Sequence, residues 1–262
     1  MTTTTAAPAR YRVTPARVLR AEWHKLWTLR STWFNLALIP VLTLGTGIAI
    51  GSAYESGDAN ELDTVLLVLL GMQFTQIIVG VLGILSTAEE HSTGLARATM
   101  AAVPSRLPVL WSKAAILGTV SFLTVLATNL LTFPTVQTLL TGTDKEAALG
   151  DPGILAALVG NAAGLALIAV MAVGIGALIR SVPTSVGILI GVVMILPEVL
   201  RMLPYDVIDD AVRHFPGKAL ETLTHADPAP GMASPGAALL ALALWTAATL
   251  TAAAFLLKRR DV

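Results

Sequence analysis

Six stretches of this chain are each apolar for about the length needed to cross a lipid bilayer, and that feature removes most other folds. The hydrocarbon core of a bilayer is about 30 Å thick and an α-helix rises about 1.5 Å per residue, so a crossing takes about 20 mainly apolar residues. The qualifying runs are 33–53, 64–87, 114–140, 153–179, 184–203 and 236–257. They are continuous rather than alternating, which argues against a transmembrane β-barrel. Composition agrees: 55% of the residues are hydrophobic, 13% are charged and the mean hydropathy is +0.74. That is more apolar surface than a soluble fold of 262 residues could bury. The expected fold class is an all-α integral membrane protein with six transmembrane helices. The chain has no cysteine, which excludes disulfide frameworks and thiolate metal sites.

The segment before the first run divides in two. Residues 1–12, MTTTTAAPARYR, have no apolar core and are expected to be a disordered cytoplasmic tail, so the first run reads as an uncleaved anchor rather than a signal peptide. Residues 13–31 are expected to form an interfacial amphipathic helix. Thr14-Pro15 has the pattern of an N-cap followed by proline at the first helical position, where its missing N–H costs nothing. A helix from that point gathers Leu19, Trp23, Leu26 and Trp27 on one face and Arg17, Arg20, His24 and Lys25 on the other. Such a helix lies at a bilayer surface with its bases toward anionic headgroups, as a simple anchor or as a lever tied to a cytoplasmic partner. Residues 32–262 complete the six-span domain, with a polar loop at 88–113 and an external segment at 204–235.

The positions of the bases set the expected orientation. Arg10, Arg12, Arg17, Arg20, Lys25 and Arg30 precede the first span; Arg97, Arg106 and Lys113 lie in the 88–113 loop; Arg180 and then Lys258, Arg259 and Arg260 fall on the same side. Only Lys145, Arg201, Arg213 and Lys218 fall on the other. Lysine and arginine accumulate on the cytoplasmic side, so both termini and the 88–113 loop are expected there, in a multi-pass protein of the cell membrane.

Polar residues inside the spans are costly unless paired or facing water. Gln73 and Gln76 in the second run, Asn129 in the third and Asn161 in the fourth either line a translocation path or hydrogen-bond between helices. Glu198 and Arg201, three residues apart near the outer boundary, are candidates for an outer gate or for mutual neutralisation. Gly160-x-x-x-Gly164 and Gly187-x-x-x-Gly191 permit close helix approach, within the chain or between subunits. Pro40 and Pro134 can kink their spans. The external segment is expected to carry a short amphipathic helix from Tyr205 to Phe215, followed by Pro216-Gly217 and the stretch PAPGMASPG.

Catalytic signals are sparse. No G-x-x-x-x-G-K-[ST] phosphate loop occurs, and the four histidines do not fall at metal-ligand spacing. Glu90, His91 and Ser92 are consecutive, and consecutive side chains diverge on a helix, so they make no triad. The chain is therefore read as a non-enzyme without metal or cofactor of its own.

The 88–113 loop interrupts this apolar pattern with the order Glu89-Glu90, Gly94, Leu95, Arg97, Ala98, Pro104, Arg106 and Lys113. In that order, between the second and third spans, it resembles the cytoplasmic loop of ABC-2 type transporter permeases. AEWHKLWTLRSTW at 21–33 resembles the N-terminal interfacial helix of that family, and the likeness extends to Asp151-Pro152-Gly153, to Leu178-Ile179-Arg180-Ser181 and to the ending LKRRDV. The resemblance implies the membrane subunit of an ATP-driven exporter. It would pair with a second permease copy or a related permease and sit on two separate ATPase subunits that carry ATP and Mg. Glu89, Glu90, Gly94, Leu95, Arg97, Ala98, Pro104 and Arg106 would then make the ATPase-docking element. Their own chemistry is compatible: Gly94 permits an abrupt turn, Leu95 and Ala98 share a helical face, and Pro104 ends a helix. The competing classes are a secondary transporter or channel, which lacks an intramembrane acidic series, and a non-transport membrane scaffold.

Overall fold

A computed structural model describes residues 14–56, 63–90, 94 and 106–259. Among these residues the regular structure is entirely helical. The helices are α1 (Pro15–Thr28), α2 (Arg30–Ala53), α3 (Thr64–Val68), α4 (Met72–Glu89), α5 (Leu107–Gln137), α6 (Ile154–Ile179), α7 (Val182–Leu200), α8 (Asp206–Val212), α9 (Pro216–Leu223) and α10 (Pro235–Arg259). Six of them, α2, α4, α5, α6, α7 and α10, are long and apolar enough to cross a membrane, so the protein is an all-α six-span membrane protein.

The spans differ in how much they bury. In the most apolar window of α6 67% of residues are inside and in α4 61%, against 22% in α2 and in α7, which makes α6 and α4 the centre of the bundle. Large side chains such as Trp33, Phe34, Val41, Leu240 and Leu244 stay exposed on the outer helices, where acyl chains are as apolar as they are. Glycine brings the central pair together. A Cβ at Gly83 would lie 2.4 Å from Ala169 O, and one at Gly176 2.3 Å from Thr87 Oγ1. The first obstacle is backbone and cannot swing aside, so the small residue sets the helix separation.

The second apolar run is not one helix, contrary to the expectation of a span over 64–87. It divides into α3 and α4 at a turn over 69–71. Asp63 caps α3, its carboxylate accepting from the Val65 and Leu66 N–H groups. Gly71 lies against α2 so closely that a Cβ would stand 2.6 Å from Thr43 Cα. The third span begins earlier than expected, at Leu107, because Pro108 suits a first helical turn and Lys113 finds partners inside the protein.

The external segment also departs from its expected form. Helix α8 is shorter than the expected 205–215, and a second helix, α9, forms where only Pro216-Gly217 and a turn-rich stretch were anticipated. Ala219, Leu220 and Leu223 of α9 are buried. Gly160 and Gly164 of α6 make room for α9: Cβ atoms there would lie 2.8 Å from Leu223 O and 2.8 Å from Leu220 Cδ1. That glycine pair therefore serves packing within the chain, whereas Gly187 and Gly191 face open space. Helix α7 contains a π turn at Gly191–Ile195 just before Pro197. Pro197 has no N–H to offer Val193 O, and Gly217 packs against that carbonyl, where a Cβ would stand 2.1 Å away.

Helix α1 starts at Thr14-Pro15 as expected, but its faces differ from the simple amphipathic division. Val18, Glu22 and Leu26 are turned into the protein, while Leu19 and Trp23 are exposed. A chain of rings, Trp23 to Trp27 at 5.4 Å and Trp27 to Trp33 at 4.9 Å between centroids, stiffens the corner where α1 meets α2.

Candidate functional site

Four ionisable side chains from three helices meet at the end of the bundle that bears α1. Helix α1 contributes Glu22 and Lys25, three residues apart and so on adjoining turns of one face. Helix α5 contributes Lys113 from its second turn. The fourth, Glu90, comes directly after a π turn at Leu85–Glu89 that ends α4. Each residue advances a helix by about 100°, so the extra residue of a π turn rotates the next residues by about that angle. Glu90 is thereby aimed at α1 and α5.

The cluster alternates in sign. Lys113 Nζ donates to Glu22 Oε2 at 2.6 Å and to Glu90 Oε1 at 2.8 Å. Lys25 Nζ donates to the same Glu90 Oε1 at 2.6 Å and to Glu22 Oε1 at 3.1 Å. The Glu22 and Lys113 side chains are only 5% and 6% exposed, so neither charge is solvated by bulk water and each depends on the other. Burial opposes ionisation of Glu90, but the two ammonium groups outweigh it and hold its carboxyl below the usual glutamate range. Burial likewise opposes the Lys25 charge, and the hydrogen bond to Glu90 together with both carboxylate charges outweighs it, raising the Lys25 pKa.

A cavity of about 260 Å³ adjoins the cluster. Lys25, Glu22, Glu90 and Lys113 form its polar end; Leu26, Leu82, Leu85, Ile116 and Leu117 supply apolar wall. Glu89 also lines it. Of the loop residues singled out from sequence, Glu89 and Glu90 are thus turned toward this cavity. Gly94 has φ 75° with nothing among the described residues within 4 Å of a Cβ position, and this is the turn conformation that glycine allows. Arg106 has φ 53° and its guanidinium donates to Leu257 O at 3.2 Å, tying the start of α5 to the end of α10. Leu95, Arg97, Ala98 and Pro104 lie outside the described residues.

The intramembrane amides gather elsewhere. Asn129 donates to Leu158 O and to Asn161 Oδ1, each at 3.0 Å. Asn161 in turn donates to Thr224 Oγ1 at 2.9 Å and reaches Met72 Sδ at 3.4 Å. Both asparagines are 1% exposed, so they join α5 and α6 to each other and to the end of α9. Gln76 is buried and donates to its neighbour Gln73 at 2.8 Å, separate from the asparagines. Glu198 pairs with Lys218 of α9 at 2.7 Å rather than with Arg201, which is exposed.

Sequence reading missed Glu22 altogether, placed Lys25 among the bases facing headgroups and left Lys113 as a loop charge. The available signals were an acid on an otherwise basic helix and a lysine beside the start of an apolar run. No family model matches the chain, and the comparison with curated proteins finds no match.

Proposed function

We propose that this chain is the permease subunit of an ATP-driven exporter of the ABC-2 type, energised by separate ATPase subunits that dock on the loop between α4 and α5. The observation that supports this reading is the ion cluster. It joins Glu90, where that loop begins, to Lys113 in the second turn of α5 and to α1, so a push on the loop reaches three helices at once. A solvated connector would need no such fastening. The left-handed Gly94 adds a sharp turn at the start of the loop. The functional unit would contain a second permease copy or a related permease, with ATP and Mg on the ATPase subunits and both termini in the cytoplasm of the cell.

The test is co-expression with a candidate ATPase subunit, then co-purification and substrate-dependent ATP hydrolysis in proteoliposomes, normalised to inserted permease. Arg97→Glu and Gly94→Val are expected to lower hydrolysis and ATPase retention while insertion stays at the wild-type level. Wild-type values for both variants would remove the docking reading. Robust hydrolysis by the permease alone would remove the division of labour.

A further inference from the structure

We propose that the cavity beside the ion cluster is a binding site for a single uncharged amphiphile, whose oxygen-bearing head faces Lys25, Lys113 and Thr32 and whose apolar body lies along α4 and α5. This inference concerns the cavity alone and stands whether or not the chain is an exporter subunit.

Three observations carry it. First, the cavity is two-sided: four charged side chains meet at one place on its wall, and Leu82, Leu85, Ile116 and Leu117 supply apolar wall. Pockets of this build, mostly apolar with a few convergent polar groups, are what small ligands occupy. Second, donors at the polar end are left over. An ammonium has three N–H groups, and Lys25 and Lys113 each spend two on Glu22 and Glu90. Third, Thr32 lines the cavity and is 1% exposed, which puts a hydroxyl group on the wall away from bulk water. An acceptor atom on a ligand can take its hydrogen bond there.

The charges select the head. A cation entering the polar end would meet two ammonium groups, and an anion would meet the carboxylates of Glu22, Glu89 and Glu90. Adding either charge to a cluster whose four members already cancel is costly beside Glu22 and Lys113, whose side chains are 5% and 6% exposed. A hydroxyl, ester or ether oxygen takes the spare N–H groups without disturbing the balance. The class is therefore a glyceride or long-chain alcohol rather than a fatty acid or alkylamine.

The experiment uses the full chain in phosphatidylcholine nanodiscs with a photoactivatable monoacylglycerol, adducts being mapped by mass spectrometry. Monolaurin, laurate and dodecylamine compete, sharing a chain and differing in head. Adducts are expected on the parts of α2, α4 and α5 around the cavity, with monolaurin the strongest competitor. Leu85→Trp, which fills the cavity from its wall, should lower this labelling at least about tenfold while labelling of the outward face of α10 persists. Thr32→Val, close in shape and lacking the hydroxyl, should weaken competition by monolaurin about fivefold. Ile116→Phe fills the same space from α5 and replaces Leu85→Trp if that variant loses the wild-type melting profile. Cavity labelling unchanged in a folded filling variant overturns the proposal, as does competition by laurate or dodecylamine equal to or better than monolaurin.

Discussion

At the α1 end of the bundle, four formal charges from α1, α5 and the end of α4 meet beside a cavity. Toward the opposite end, uncharged Asn129, Asn161, Thr224 and Met72 hold α4, α5, α6 and the end of α9 together. Both groups span several helices, yet they differ in what happens when one member changes. An amide node loses a hydrogen bond or two; an ion cluster that loses one charge leaves an opposite charge buried and uncompensated. The far node is reinforced by Asp63, whose second carboxylate oxygen accepts from Ala226 N at 3.0 Å and so clips the segment after α9 to the start of α3. The near cluster instead borders open volume and a π turn, an element frequent at functional sites. One end is fastened by uncharged hydrogen bonds and the other by opposed charges.

The strongest way to break this contrast is Lys113→Met. It leaves Glu22, whose side chain is 5% exposed, and Glu90 sharing the single ammonium of Lys25, one carboxylate charge in excess, and should cost about 3–5 kcal/mol, read as a fall in thermal stability and release of α1. Replacing all four members together (Glu22→Leu, Lys25→Met, Glu90→Leu, Lys113→Met) should recover most of that loss, because no charge is then left alone. If the fourfold variant is as unstable as the single one, the cluster acts through shape rather than charge.

Asn161→Leu tests the far node and should cost about 1–3 kcal/mol, since it leaves the Asn129 amide and the Thr224 hydroxyl short of partners. A loss as large as that of Lys113→Met would erase the difference between the two ends.

The pH response separates them without mutation. Glu90 has a depressed pKa, so its contribution is present above the ordinary glutamate value and is lost as pH falls through the depressed one. Lys25 has a raised pKa, so its contribution is fully present below the ordinary lysine value and is lost as pH rises through the raised one. Spin labels at exposed Arg20 and Leu123, simple to place in a chain without cysteine, should report a constant distance between about pH 6 and about pH 9, with α1 loosening in stronger acid. Glu90→Gln should remove much of the acid response. Labels across the far node should report none.

The smallest effect is expected at Gly187→Ala. Nothing lies within 4 Å of its Cβ position, so stability should change by less than about 0.5 kcal/mol. Gly160→Ala is the matched contrast, because its Cβ would stand 2.8 Å from the backbone oxygen Leu223 O, which cannot swing aside, and force α9 to move. Equal effects at the two glycines would mean that the α7 face is covered in the working assembly.

Length and hydropathy alone determined the six spans, because crossing a bilayer demands a run of apolar residues that neighbours in sequence supply by themselves. Thr14-Pro15 likewise marked the start of α1, a local backbone effect. The broken second run was not legible: Val65 to Ile84 is apolar enough throughout to read as one helix, and only contact with α2 at Gly71 shows why it turns. Nor was α9, whose short apolar face has meaning only against the two glycines of α6. The ion cluster was least legible of all. Glu22 and Lys113 are 91 residues apart, and their meeting depends on the docking of α1 against α5, while Glu90 joins them through a π turn whose rotation no residue pattern announces. Hydropathy reports what each segment wants as its solvent; which charges neutralise one another is decided by the angles and separations at which the helices finally pack.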